Sequence, residues 1–138
     1  MKKLVNGIMI VALTCIATPA WAQVQLLRAE LSKETWFNTT YGEYTVITRE
    51  ALVKVENLGY RKSIAIWAAF EDGHWNSTGV PEYLGSAGGN WELWRIVART
   101  EERPGANFKW GVNSDEFAIR YQVNGQTYWD NNGGSNYA

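Results

Sequence analysis

The sequence has one cysteine, one histidine and three prolines among its 138 residues, and these shortages exclude several kinds of site. Cys15 lies in an apolar run near the N-terminus, so the rest of the chain offers neither a disulfide framework nor a thiolate metal site. A lone His74 suggests neither a metal centre nor a Ser-His-Asp triad, and there is no nucleophile elbow. We therefore expect no metal, no cofactor and no catalytic residue.

The chain also has no excess of positive charge. Thirteen Lys and Arg residues stand against 14 Asp and Glu residues, and no basic cluster breaks this near balance. Nucleic acids and anionic membranes need such clusters, so neither is an expected partner. A neutral partner fits the composition better.

Residues 1–22 have the organisation of a secretory signal peptide. Lys2 and Lys3 give a positive start, and the apolar run that follows is shorter than the about 20 residues that span a bilayer. A small-x-small cleavage site then ends at Ala22. The alternatives are a retained anchor and lipidation at Cys15, although Thr14 is a poor residue before a lipidated cysteine. Cleavage leaves one domain, residues 23–138, with 11 basic and 14 acidic side chains (net −3) and a secreted or periplasmic location.

The mature chain shows the two-residue periodicity of half-buried strands. Its alternating runs are ALVKVEN, SIAIWAAF, ELWRIVA and FAIRYQV. Trp94 shares a face with Ile96 and is expected in the core. Trp67 lies opposite the Ile64 face, and its burial is left open. No stretch after Gln23 has a helical stripe.

Turn signals separate these runs: NLGY, EDGH, AGGN, RPGAN and VNGQ. Asn124-Gly125 is a strong two-residue hairpin signal, because both turn positions need positive φ. The polar stretch 98–107 is expected to be a surface loop. The pattern predicts an all-β protein, an antiparallel immunoglobulin-like β-sandwich of about eight strands.

Aromatic residues exceed what a small sandwich core can hold. The chain has eight Trp, seven Tyr and four Phe, and each buried ring takes roughly 150–250 Å². Several rings lie in turn-rich sequence beside amides, above all in TYWDNNGGSNY near the C-terminus. A sugar has an apolar face that stacks on an indole and hydroxyls that need groups both donating and accepting hydrogen bonds. This mixture favours carbohydrate binding.

Two other functions to compare with the sequence are glycoside hydrolysis and protein interaction. Glycoside hydrolysis needs two carboxylates about 5–10 Å apart, whereas Glu71-Asp72 and Asp115-Glu116 are adjacent pairs whose side chains diverge on a strand. The sequence therefore predicts no enzyme. The alternative is a secreted structural or protein-interaction sandwich that uses its exposed rings as an interface.

Three segments carry a family resemblance: ALVKVENLGYRKSIAIWAAFEDGHWNS, GGNWELW and EFAIRYQVNGQTYWDNNGGSNY. Together they resemble the family 21 carbohydrate-binding modules, which include starch-binding domains of fungal glucoamylases and glycogen-targeting subunits of protein phosphatase 1. The resemblance spans roughly Leu52 to Tyr137. It implies a non-catalytic β-sandwich that binds α-1,4-linked glucan, that is, starch, glycogen or malto-oligosaccharides.

The resemblance also implies two sugar-binding surfaces. In the first, Trp75 and Trp129 match stacking rings, and Asn131 and Asn136 match amides that bind hydroxyls. Ala118 stands where the family has another aromatic residue, so one platform is missing unless a different ring replaces it. The second surface matches these residues: Tyr60, Lys62, Tyr83, Trp91 and Glu92. Trp110, in a longer segment, either extends a site or caps the sandwich. Modules of this kind accompany an enzyme or a phosphatase, so a separately encoded enzyme is a possible partner.

Overall fold

In the computed structural model, the protein is built from strands in two sheets. The structure describes residues 2–14, 22–40, 42–69, 73–102 and 116–138. The strands are β1 (Lys2–Thr14), β2 (Val24–Asn38), β3 (Gly42–Glu56), β4 (Lys62–Ala69), β5 (Trp75–Thr78), β6 (Val80–Ser86), β7 (Trp91–Glu102), β8 (Phe117–Val123) and β9 (Gln126–Asp130). A single 3₁₀ turn, Asn132–Gly134, follows β9 in the described part of the chain.

The two sheets are antiparallel and the chain passes between them three times. One sheet has the order β1-β2-β3-β7-β6, and the other has the order β5-β4-β8-β9. The connections β3 to β4, β5 to β6 and β7 to β8 each cross from one sheet to the other. This confirms the predicted all-β sandwich, with eight strands in the expected mature domain.

The core lies between the sheets and is formed by alternate residues of each strand. Ala51, Val53 and Val55 of β3 are fully buried, and Ile66 of β4 and Ile119 of β8 meet them from the opposite sheet. Each of these strands follows the predicted two-residue period. The residues between them on β4 and β8 therefore point away from the core, onto the outer face of the four-stranded sheet.

The predicted hairpin joins β8 to β9. Asn124 (φ 52°) and Gly125 (φ 72°) both adopt the left-handed backbone that such a turn requires. The Asn124 side chain also donates a 2.7 Å hydrogen bond to the carbonyl of Leu58 in the β3–β4 loop. The hairpin residue that makes the turn therefore also ties the two sheets together at this end of the sandwich.

Part of the predicted surface loop 98–107 is strand instead. β7 continues through Glu102, and its polar end pairs with β3 as far as Thr45↔Glu102. Backbone hydrogen bonds between neighbouring strands do not depend on apolar side chains, so the polar composition misled the prediction there. Residues 103–107 lie outside the described part of the chain.

The segment expected to be a signal peptide includes β1, which pairs with β2 at the edge of the five-stranded sheet. Its cleavage stays a prediction, and it would leave β2 as the sheet edge. Among the described residues, no helix is long and apolar enough to cross a membrane.

Candidate functional site

The outer face of the four-stranded sheet carries three tryptophans. Trp67 of β4 is the cross-strand partner of Ala118 on β8, and Arg120 is the partner of Trp129 on β9. On the other side of β4, Trp75 of β5 pairs with Ala69. Direct cross-strand partners share a face, so the indoles of positions 67, 75 and 129 all lie on the side away from the core. We call these three tryptophans, with Ala118 and Arg120, the outer aromatic face.

Trp129 is the most exposed of the three rings. Trp129 is 45% exposed, whereas Trp67 and Trp75 are half-buried. Trp67 meets Trp129 nearly edge-on, with ring centroids 5.8 Å apart and planes inclined by 74°. The guanidinium carbon of Arg120 lies 4.9 Å from the centre of the Trp67 ring, in a cation–π contact. These contacts fix the rings without removing them from solvent.

Trp75 and Trp129 lie far apart on this face. They occupy the two edge strands, three interstrand spacings and four residues from each other. With about 4.8 Å between strands and about 3.3 Å per residue, their Cα atoms are roughly 19 Å apart. Trp67 is a diagonal neighbour of Trp75, at a Cα separation of about 7–8 Å. The two predicted stacking rings therefore face the same way, but they are too far apart for one pyranose ring to contact both.

Small residues fill the floor between the rings. Ala65, Ala69 and Ala118 point outward, yet they are only 8%, 7% and 3% exposed. Their methyl groups are covered because the neighbouring side chains are large. Ala118, where the resemblance expects an aromatic residue, is thus covered by aromatic side chains of the neighbouring strands.

The C-terminal loop is held beside this floor by a buried carboxylate. Asp130 is 4% exposed and accepts hydrogen bonds from the backbone of Leu26 (2.6 Å), the hydroxyl of Tyr137 (2.7 Å) and the backbone of Asn132 (3.3 Å). The bond to Asn132, two residues further along, caps the turn that follows β9. The bond to Leu26, 104 residues away, also fastens the loop to β2.

Two asparagines of this loop reach the outer aromatic face. The pairs Phe117↔Tyr137 and Ile119↔Asp130 bracket Ala118, so Asn131 and Asn136 lie beside it. The Asn131 carbonyl oxygen accepts from the backbone of Gly134 at 3.1 Å, and the Asn136 amide nitrogen donates to Glu116 at 2.7 Å.

Each of these amides makes a hydrogen bond through only one of its two polar groups. Among the described residues, the Asn131 amide nitrogen and the Asn136 side-chain oxygen have no hydrogen-bond partner. The loop therefore presents one free donor and one free acceptor next to Ala118. A hydroxyl group, which can both donate and accept, matches this pair.

The second predicted surface is only partly assembled. Tyr60, in the β3–β4 loop, is 99% exposed. The ammonium of Lys62 lies 3.4 Å from the Glu92 carboxylate and 2.7 Å from the Asn57 side-chain oxygen. The Lys62 and Glu92 side chains are 6% and 16% exposed, and they join β4 of one sheet to β7 of the other. The structure thus brings these two predicted ligands together as an ion pair between the sheets.

Tyr83 and Trp91 point to opposite faces of the five-stranded sheet. The Tyr83 ring packs against Trp94, with ring centroids 5.4 Å apart and planes inclined by 60°. The Trp94 indole donates a 2.9 Å hydrogen bond to Glu92. Trp91 is instead paired with Lys54, whose ammonium lies 4.6 Å from the ring centre on the outward side. Tyr83 and Glu92 therefore belong to one surface, and Trp91 belongs to another.

Residues 43–138 match the carbohydrate/starch-binding module family 21. The chain belongs to this family. The match covers β3 through the C-terminal loop, and so it includes every residue of the outer aromatic face.

The module is similar to parts of much longer proteins. It is 31% identical over 98 residues to Glucoamylase 1 of Rhizopus oryzae, covering 68% of this chain and 14% of that protein. It is 35% identical over 89 residues to protein phosphatase 1 regulatory subunit 3B of Homo sapiens, covering 62% and 29%. The chain thus spans less than a third of either relative.

A solved structure confirms the family fold. The starch-binding domain of Rhizopus oryzae glucoamylase, in complex with beta-cyclodextrin and maltoheptaose, superposes with a TM-score of 0.54 at 26% identity. The superposition covers 88% of this chain and 96% of that domain. The resemblance first drawn from three sequence segments is confirmed by both comparisons.

The module also contains site neighbours that the sequence did not single out. Trp67 lies between Trp75 and Trp129, and Trp94 lies between Tyr83 and Glu92. The spacing Glu92-x-Trp94 could have revealed the second case, because residues two apart share a face of a strand. Trp110 and the pairs Glu71-Asp72 and Asp115-Glu116 fall wholly or partly outside the described residues. Within the described part, no group of three or more His, Cys, Asp or Glu side chains is placed to hold a metal ion.

Proposed function

We propose that this module binds α-1,4-linked glucan on its outer aromatic face and catalyses no reaction. The observation that carries the proposal is the 45% exposed indole of Trp129 on β9, followed in the C-terminal loop by two amides that are only partly hydrogen-bonded, Asn131 and Asn136. An exposed indole beside a donor and an acceptor suits an uncharged sugar better than it suits an ionic ligand. The family and the maltoheptaose complex of the related starch-binding domain support the same ligand class.

The proposed mechanism is stacking combined with hydrogen bonding. The apolar face of a glucose residue lies on Trp129, and its hydroxyls meet the free amide groups of Asn131 and Asn136. The contact of Trp129 with Trp67 and the anchor at Asp130 hold these groups in place before a sugar arrives. Little side-chain freedom is then lost on binding, which favours affinity.

The carboxylates beside this face support binding without hydrolysis. Asp130 is buried under three hydrogen bonds, and Glu116 accepts from the Asn136 amide. Glycoside hydrolysis requires an acid and a base or nucleophile flanking the scissile bond. A buried, fully engaged Asp130 is unsuited to either role, so the module is proposed to hold glucan only.

A second contact with the same glucan is proposed around Tyr60. This ring is 99% exposed, and Tyr83 is 55% exposed. Lys62 and Glu92 would support this surface from behind, because their charges already satisfy each other. Two weak contacts on one chain raise the avidity for a long polymer through effective concentration.

The location and the partner remain part of this proposal. We propose that residues 1–22 are removed and that the module works outside the cytoplasm, as a secreted or periplasmic glucan binder that supports a separately encoded enzyme. Intact-mass measurement of the protein recovered from the periplasm or the medium tests the cleavage. A mass matching a start at Gln23 is expected, and the mass of the uncleaved chain would contradict it.

Co-sedimentation with insoluble starch tests the proposed function. The module should pellet with the granules, and added maltoheptaose should release it. Recovery in the supernatant at every granule load would contradict glucan binding and favour a protein interface. Release of new reducing ends would contradict the absence of catalysis.

A further inference from the structure

The span between Trp75 and Trp129 leaves a space that a single sugar cannot bridge. Between these two rings, the outward positions of β4 and β8 hold three buried alanines, Arg120 and Trp67. Among these, Trp67 is the one flat ring. It lies on the diagonal from Trp75 to Trp129, one strand from the first and two strands from the second.

The Trp67 ring is fixed in this central position. Arg120 lies 4.9 Å from its ring centre, and Trp129 meets it edge-on at 5.8 Å. Ala118, directly across from it, is a methyl group and offers no competing ring. Trp67 is nevertheless half-buried rather than core, so part of its surface opens on the same side as Trp129.

We propose that Trp67 is the central stacking residue of the glucan surface and that it supplies from β4 the ring that Ala118 lacks on β8. This inference rests on the proposed function and extends it to a residue that the family resemblance did not assign. The three tryptophans then form a diagonal row along which several consecutive glucose residues are held.

The angle between the rings sets the kind of chain that this row accepts. Trp67 and Trp129 are inclined by 74°, so they cannot both lie flat against a straight, ribbon-like chain. An α-1,4-linked glucan turns steadily about its axis and presents successive sugar faces at different angles. A β-1,4-linked glucan stays flat. Trp67 therefore contributes to selection for α-linked chains of several units.

Calorimetric titration of the whole protein with maltoheptaose tests this role through Trp67→Leu and Trp67→Ala. Leucine keeps apolar cover over the alanine floor but has no flat ring. Either variant should bind roughly tenfold more weakly than the parent, a loss of about 1.4 kcal/mol. The loss should be smaller for maltotriose, which is too short to use the whole row. Phe37→Ala is the control, since it removes an exposed ring (40%) from the other sheet.

A rescue variant separates a binding role from a structural one. Adding Ala118→Tyr to Trp67→Ala places a ring on the neighbouring strand and should restore most of the lost affinity. Restored affinity would not follow if Trp67 acted only in packing. A Trp67→Leu variant that binds maltoheptaose like the parent, with Trp129→Ala defective, would overturn the inference and leave the proposed function standing.

Two further outcomes concern a parent that does not bind and variants that do not fold. If the parent itself does not bind maltoheptaose, the proposed function fails and the inference fails with it. If the Trp67 variants do not fold, as judged by the thermal transition, the parent is used alone. In that case the indole N–H resonance of Trp67 should shift on maltoheptaose addition, and an unmoved resonance beside a shifted Trp129 resonance would overturn the inference.

Discussion

Trp129→Ala is the substitution that separates binding from folding most cleanly. Trp129 lies on β9, the edge strand of the four-stranded sheet, and it is not part of the buried core. Its main aromatic contact is the edge-on pair with Trp67 at 5.8 Å. Such a pair contributes about 0.5–1.5 kcal/mol, so we expect the variant to lose about 1 kcal/mol of stability. For a domain of this size, that is a fall in the thermal midpoint of roughly 3–6 °C.

The expected loss of binding is larger. A Trp side chain presents roughly 150–250 Å² when fully exposed, and 45% exposure leaves about 70–110 Å² for a sugar to cover. At about 25 cal/mol per Å², this area is worth about 1.7–2.8 kcal/mol as an upper limit. The affinity for maltoheptaose should therefore fall by roughly 15- to 100-fold. Trp129→Phe, with a smaller ring, should lose only part of it.

The measurement is an isothermal titration with maltoheptaose, paired with a thermal melt of each variant. Phe37→Ala serves as the control, because it removes a ring of similar exposure (40%) from the other sheet. That control should bind like the parent. If Trp129→Ala also binds like the parent, the outer aromatic face is not the sugar-binding surface. If it fails to fold, Trp129 has a structural role that its exposure does not predict.

Three further predictions concern other parts of the module. Asp130→Ala leaves buried donors without an acceptor, so chemical denaturation should show a loss of about 3–5 kcal/mol; a loss below about 1 kcal/mol would contradict the anchor. Lys62→Met leaves the Glu92 carboxylate without a partner charge between the sheets. The variant should therefore lose more free energy of unfolding, measured by a thermal melt, than free energy of glucan binding, measured by titration. A larger loss in binding than in stability would make Lys62 a direct ligand. Burial raises the pKa of Tyr121 above its ordinary 10.0, so the unfolded chain loses this proton first as pH rises. The free energy of unfolding should therefore stay constant below about pH 10 and decrease above it. In Tyr121→Phe this decrease should be smaller. A parent that keeps its stability at high pH would contradict the raised pKa.

Much of the fold could be predicted from local sequence. The two-residue period of β3, β4 and β8 identified the core residues, and Asn124-Gly125 identified the hairpin. These signals are short in range, since strand alternation and positive φ depend on a few neighbouring residues. The polar end of β7 was missed because its pairing with β3 comes from backbone hydrogen bonds between residues far apart in sequence.

The proposed binding surface was predictable only in part. Exposed rings beside amides indicated the C-terminal segment, and the family resemblance assigned Trp129, Asn131 and Asn136 within it. The structure places the two asparagines beside Ala118 and Trp129 on the adjacent strand. The burial of Trp67 could not be predicted, because both faces of β4 are apolar and alternation alone does not show which face meets the other sheet. Only the cross-strand register with β8 places Trp67 against Ala118.

The second surface shows a different limit. Family positions identified Lys62 and Glu92 as ligands, but their ion pair between the sheets depends on how β4 and β7 pack. The resemblance also placed Tyr83 and Trp91 on this one surface. The two side chains instead point to opposite faces of the five-stranded sheet, because Tyr83 lies against Trp94 on one face and Trp91 lies against Lys54 on the other.

The most direct test of the central claim follows the backbone and indole N–H resonances of the parent module during a maltoheptaose titration. The account predicts saturable shifts at Trp129, Asn131 and Asn136, the residues that surround Ala118. Shifts confined to the five-stranded sheet, or no shift at any maltoheptaose concentration, would contradict it.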